Sequence, residues 1–301
     1  MTSFRRNLSG LLSAALDEPG LARLRQLASE GGPEAELVDV TAPPAARPFV
    51  VGTVASDVGA GRTVLAVTAT SREGEELAEG LRALLPPDTV EFYPAWETLP
   101  HERLSPRSDT VGRRLAVLHR LAHPGDAPVR VVVAPVRSML QPQLRGLGDL
   151  EPVSLAVGDA ADLSEIAHTL SDLAYTRVDL VEKRGEFAVR GGILDVFPPT
   201  EEHPLRLEFF GDEVESVRHF AIADQRSLDG EDASPALYAP PCRELLLSPR
   251  VRERAAELAA AHPGLAEMCE KLAQGIPVEG MESLTPALLG GDQLELLVEA
   301  V

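Results

Sequence analysis

Cysteine is nearly missing from this chain: Cys242 and Cys269 are the only two, and they do not form a C-x-x-C pair. That leaves neither a disulfide framework nor a zinc site to build on, and makes a reducing cytoplasm the expected compartment. Long apolar runs are missing as well, and the opening MTSFRRNLSG has no apolar core of the kind a signal peptide carries, so a soluble protein with no membrane partner is expected. Basic residues are few. Lys and Arg number 28 against 47 Asp and Glu, a net charge of −19, which opposes nonspecific binding to nucleic acid because phosphate contacts rely on clustered cations.

Catalytic signatures are scarce too. A phosphate loop needs G-x-x-x-x-G-K-S/T opening a helix, so that backbone amides meet the phosphates. The nearest stretch, VVGTVASDVGAGRTVLAV, puts Ser56 at the first glycine and Arg62 at the lysine, and Thr63 runs straight into a strand. Gly211-Asp212-Glu213 after LRLEFF reads as a hairpin turn rather than the acidic end of a nucleotide-binding strand. Of the seven histidines, His119 and His123 have i, i+4 spacing, but His123 falls beside Pro124 past the helix end, with no acidic residue between them, so no metal site is expected. Trp96, Glu97, His101 and Glu102 lie in a proline-rich loop and read as a packed, hydrogen-bonded turn. There is neither a G-x-S-x-G elbow nor a Cys/His nucleophile pair, and no catalytic, cofactor-binding or metal-binding residue is assigned.

What is present is an ordinary globular composition, 44% apolar over 301 residues, enough for two or three domains. Two short helical patterns occupy residues 8–31, and the loop Thr41–Arg47 precedes a β-rich run, Phe49–Val54, that reads as a buried strand. Further strands are expected at Thr63–Thr68, Thr89–Tyr93 and Val129–Val133, with helices at Ser71–Leu85 and Ser108–Leu121. Strands alternating with helices predict a parallel sheet. From about Ser138 the pattern changes: Val153–Val157 reads as a strand, and Asp162–Tyr175 as a helix with Leu163, Ile166, Leu170 and Leu173 inward and capping-box spacing from Asp162 to Glu165. Helix Val251–His262 and a last strand, Leu294–Val298, close the chain. That strand runs almost to the terminus, which reads as a piece of a longer protein or as a strand tucked into the first sheet. The predicted organisation is an α/β parallel-sheet domain (residues 1–137, returning at 223–301) with an inserted α+β domain at 138–222.

The most informative stretch is Tyr175 to Phe220. Period-two alternation marks Glu186–Arg190, Ile193–Phe197, Leu205–Phe210 and Val214–Phe220 as four short antiparallel strands, with Gly191-Gly192 and Gly211-Asp212 as turns and Pro198-Pro199 as a stop. On that reading Leu205, Leu207 and Phe209 face inward, while Arg190, Arg206 and Glu208 share the outer face and Arg177 enters the sheet from the preceding helix. Exposed strand faces are commonly charged, and such groups form ordinary surface pairs worth little. Arginine forks also suit bidentate recognition at interfaces. Alternation alone leaves both readings open.

TRVDLVEKRGEFAVRGGILDVFPP, LRLEFFGDEVESVRHF with the trailing DQRSL, and separately FYPAWETLPHERLSPRSDTVGRRLAVLHRL resemble the N-terminal module of the bacterial transcription-repair coupling factors (the Mfd family). The first two are also similar, more distantly, to the second domain of UvrB. The resemblance implies a degenerate UvrB/RecA-like nucleotide-binding fold without a working phosphate loop. It further implies a docking module that recruits UvrA where RNA polymerase has stalled, for nucleotide excision repair. By motif, Arg177 (T/A-R-x-D), Arg190 (F-x-V-R-G) and Arg206 with Glu208 (L-R-x-E) are its implied UvrA contacts. Ala188 departs from the pattern, since UvrB-like sequences tend to carry another arginine there, as F-R-V-R-G. In the family, ATP and magnesium serve a DNA translocase further along the polypeptide, and RNA polymerase and DNA are contacted from that remainder. The interval between PHERLSPRSDT and VRVVVAP is too short for the aromatic DNA-clamping hairpin of UvrB. Two alternatives remain: an NTP-dependent helicase subunit with Arg62 in place of lysine, and an autoinhibitory domain whose arginine face docks onto the C-terminal remainder.

Overall fold

Alternating apolar strands and amphipathic helices build the first of two compact units, which spans Met1–Ala95, Arg120–Pro142 and Leu296–Val301. The computed structural model describes residues 8–31, 37–99, 102–125, 128–228 and 236–301. His101, part of the acidic loop after Asp224, and the first seven residues lie outside them. Helices α1 (Ser9–Ala15), α2 (Pro19–Glu30) and α3 (Arg47–Ala55) precede strand β1 (Val64–Thr68), helix α4 (Ser71–Leu84) and strand β2 (Val90–Phe92). Helix α5 (Ser108–Ala122) gives its last turn to this unit, followed by β3 (Val131–Pro135) and the single turn α6 (Val136–Met139). The sheet order is β1-β3-β2, all parallel. The central strand, β3, is buried at every position, as a parallel strand covered on both faces must be.

Helix α4 starts where Thr70 Oγ1 accepts a hydrogen bond from Glu73 N, the Ser/Thr-x-x-Glu arrangement that satisfies the orphan amides of a first turn. Its Leu77, Ala78 and Leu81 then pack with Leu12, Ala55, Val90, Val131 and Val133. The expected strand at Phe49–Val54 is instead helix α3. A short apolar run fits either element; Pro48 at the first helical turn favours the helix. Burial of Gly52, Thr53 and Ala55 against the same core completes the choice. The parallel sheet accordingly has three strands.

The second unit spans Trp96–His119 and Gln143–Glu295. It holds β4 (Gln143–Leu144), β5 (Val153–Leu155), α7 (Leu163–Asp172) and β6 (Thr176–Arg177). The meander strands follow as β7 (Glu186–Arg190), β8 (Ile193–Val196), β9 (Leu205–Phe210) and β10 (Glu213–His219). After β11 (Leu237–Ala239), helices α8 (Pro249–Ala261), α9 (Ala266–Ala273) and α10 (Thr285–Leu289) form a second small core around Leu258, Cys269 and Leu272. Strand β12 (Leu294–Glu295) pairs antiparallel with β4, and a final turn, α11 (Leu297–Ala300), belongs to the first unit. The predicted strand at Leu294–Val298 thus shrinks to two residues and lies outside the parallel sheet, because the chain turns helical at Leu297.

Five strands make the sheet β10-β9-β8-β7-β6, antiparallel except for the β6–β7 edge. Both tight turns place glycine first, Gly191 at φ 60° and Gly211 at φ 63°, as two-residue hairpins of type II′ require. Helix α7 is capped by Asp162, whose Oδ1 accepts from Ser164 N and Glu165 N. Its Ile166 and Leu170 bury the inner face of the sheet, Phe187, Leu194, Val196, Leu205, Leu207, Val214 and Val217. Each such side chain contributes about 1.5–3 kcal/mol when fully buried. This packing fixes which residues are left on the outer face.

Candidate docking surface

Register decides the outer face. One row across the strands reads Arg218, Arg206, Asp195, Ala188; the next reads Ser216, Glu208, Ile193, Arg190. The bulge at Glu215 lets β10 rejoin this alternation. Arg190, Arg206 and Glu208 therefore do share one face. Arg177 does not join them: it is exposed at the β6 edge, in register with the inward-facing Phe187.

At the centre stands a residue that sequence reasoning passed over. Asp195 is fully buried, and both arginines converge on it. Arg206 grips it with two parallel bonds, Nε to Oδ1 at 2.6 Å and Nη2 to Oδ2 at 2.8 Å, while Arg190 Nη2 donates to Oδ2 at 2.6 Å. The third Arg206 nitrogen, Nη1, donates to the Gln225 carbonyl, and the guanidinium lies 4.7 Å from the centre of the Phe220 ring. The hydrogen bond to Asp195 holds the Arg206 pKa above its ordinary value against the opposing effect of burial. Only 17% of the Arg206 side chain is exposed, against 50% for Arg190. Glu208 is engaged by Arg218 and by Ser216 Oγ. Asp195 was legible in principle, since I-x-D-x places it on the outer parity; only the pairing of β8 with β9 sets it opposite Arg206.

Half of this face is roofed. Ala188, Phe197 and Phe220 form a small second core with Val181 and the neighbouring Val178. Gln225 ties the roof down, its Nε2 reaching the Val181 and Ile222 carbonyls. Ala188 is buried within this cluster, where a longer side chain would have to displace its neighbours.

Elsewhere in the unit, the loop residues singled out from the sequence serve the packing. Trp96 Nε1 donates to Glu244 Oε1, which also pairs at 2.5 Å with the fully buried Arg114. Glu97 accepts from Arg107 N, and Glu102 from Leu99 N. Gly211-Asp212 is the β9–β10 hairpin turn. In the first unit, Arg62 donates to the Ala28 and Gly31 carbonyls at the end of α2, a helix C-terminal cap. Among the described residues no cluster of three or more His, Cys, Asp or Glu has metal-binding geometry, and no helix is long and apolar enough to cross a membrane.

Residues 153–236 match the UvrB interaction domain family. That span contains the whole five-stranded sheet, α7 and the roof. Over 293 residues, 93% of the chain, it is 50% identical to the transcription-repair-coupling factor of Mycobacterium bovis, of which it covers 23%. Over nearly its whole length the chain is thus similar to part of a transcription-repair-coupling factor, and its sheet to the UvrB interaction domain. The corresponding factor of Bacillus subtilis is 32% identical over 70% of the chain and 17% of its own length. UvrABC system protein B of Streptomyces avermitilis is 32% identical over 65% of the chain and 28% of its length. The chain spans 17–28% of the length of these relatives.

Proposed function

We propose that this module is a protein-docking unit which recruits UvrA during transcription-coupled nucleotide excision repair, and that it performs no catalysis itself. The observation that carries the reading is the coincidence of the UvrB interaction domain match with the sheet that presents Arg190. Arg190 gives one N–H to Asp195 and leaves the rest of its fork toward solvent, ready for a partner carboxylate. Arg206 and Asp195 hold that fork in place, and Glu208 and Arg218 flank it. On this proposal any ATP, magnesium, RNA polymerase and DNA contacts belong to the remaining length of the longer relatives and not to this chain.

Calorimetric titration of purified UvrA into the 301-residue chain tests the proposal. Saturable binding is expected. It weakens with ionic strength, as a contact led by an exposed charge does, and Arg190→Ala costs it about 1–3 kcal/mol. Absence of binding by the folded chain would sink the proposal. The competing NTP-binding reading needs Arg62 to leave the two carbonyls it now caps; labelled ATP retained by the chain, and lost in Arg62→Ala, would favour it.

A further inference from the structure

The two halves of the outer face are finished differently. Over Ala188, Phe197 and Phe220 the chain supplies its own roof; at the hairpin end none of the described residues does so, and there Phe210 stands 80% exposed. Phe187, Phe197 and Phe220 of the same sheet region are all buried. Alternation puts Phe210 on the outer parity, where a β-strand with one wet face carries a polar residue. Isolated exposed apolar side chains are common on protein surfaces, but this one has company. Ile193, half-buried, sits on the adjacent strand one step back along the same face, and Arg190 follows on the strand beyond it. Strand geometry separates Phe210 from Arg190 by roughly 12 Å, and the two glycine-led hairpins flank this end of the face.

Charge identifies the occupant. Arg206 is neutralised by Asp195 and Arg218 by Glu208, which leaves half-exposed Arg190, with only a share of Asp195, as the cation this face offers. Glu213, exposed opposite Phe210, marks the rim. Two copies of a chain that carries −19 repel each other, which disfavours a self-contact, whereas a partner with a carboxylate for Arg190 and an apolar pocket for Phe210 fits this surface.

We infer that Phe210 is the apolar anchor of the docking contact, inserting into an apolar pocket of UvrA that lies roughly 12 Å from the carboxylate bound by Arg190. This rests on the docking proposal and adds to it a residue, a chemistry and a spacing. Arginine supplies the salt-dependent part of the contact; the phenyl ring supplies a salt-independent part that persists when charge is screened.

The test is calorimetry with purified UvrA on the wild-type chain, Phe210→Ala, Phe210→Leu and Arg190→Ala, each at low and high salt, with thermal melts run alongside. Phe210→Ala should bind roughly tenfold to a hundredfold more weakly, melt at the wild-type temperature and keep the wild-type salt dependence. Phe210→Leu should recover part of the loss, and Arg190→Ala should flatten the salt dependence. Wild-type affinity in Phe210→Ala overturns the anchor and leaves docking standing. No binding by the wild-type chain overturns docking and the anchor together. Self-association of the wild-type chain in sedimentation, abolished by Phe210→Ala with UvrA affinity unchanged, assigns the ring to a self-contact and overturns the inference.

Discussion

Two arginine–carboxylate clusters in the second unit are built from the same chemistry and differ in what they leave outside. Arg114 and Glu244 are both interior, with 0% and 5% of their side chains exposed, and Trp96 closes the set. In the sheet, Asp195 is as deeply buried as Arg114, yet it is shared by one arginine that is nearly enclosed and one that is half in water. The first cluster is satisfied internally and presents nothing to a partner. The second is satisfied only on its inner side. Burial of the carboxylate, with unequal exposure of its two arginines, turns a structural ion pair into the base of a recognition surface.

Breaking the enclosed cluster should have the largest effect. Glu244→Ala removes the carboxylate that neutralises a fully buried guanidinium and should cost about 3–5 kcal/mol of stability, read by urea unfolding; a loss below about 1 kcal/mol would mean water reaches Arg114. In the sheet cluster, Arg206→Ala leaves Asp195 with Arg190 alone, and a smaller loss of about 1–3 kcal/mol is expected. Its effect on docking should follow from that loosening, so Arg206→Lys, which keeps the charge but not the two-bonded fork, should fall between wild type and alanine in both measurements.

The closed interior offers a pH probe. Burial pushes the Cys242 thiol up to about 12, against a smaller lowering effect of its hydrogen bond with Tyr175. A thiol held neutral in the fold and free to ionise when unfolded contributes stability that is fully present below the ordinary thiol range. That stability is lost as pH rises from about 9 toward 12, by up to about 1.4 kcal/mol per pH unit. Tyr175, raised chiefly by its own burial, adds to the fall above pH 10. Cys242→Ala should flatten the first part of the decline, and an unchanged pH profile would show that the thiol is not the group responsible. Among the substitutions in the two clusters, the smallest stability change belongs to Arg190→Ala. Its side chain is half-exposed and Arg206 still neutralises Asp195, so the expected loss is below about 1 kcal/mol while docking suffers. A large destabilisation there would erase the distinction between the two clusters.

Much of this was legible beforehand because β-alternation depends on local pattern alone. The four meander strands, their glycine turns, the Asp162 cap and the inward stripe of α7 all follow from residue spacing. So does the sharing of one face by Arg190, Arg206 and Glu208. Phe49–Val54 was illegible for the converse reason: six residues of mixed small and branched type carry no period long enough to separate helix from strand, and packing against α1 and α4 made the choice. Arg177 lay beyond the pattern as well, because a two-residue edge strand has no alternation to read.

By itself the sequence determined which residues lie on which side of each strand, since that needs only the two-residue repeat of the backbone. Tertiary structure decided which strand lies beside which, and so that Asp195 meets both arginines, that Ala188 lies under a roof, and that Phe210 does not. Those outcomes depend on register and on loops returning from tens of residues away. Such long-range contacts, formed only when the inner face packs on α7, set the burial that separates a structural arginine from an available one.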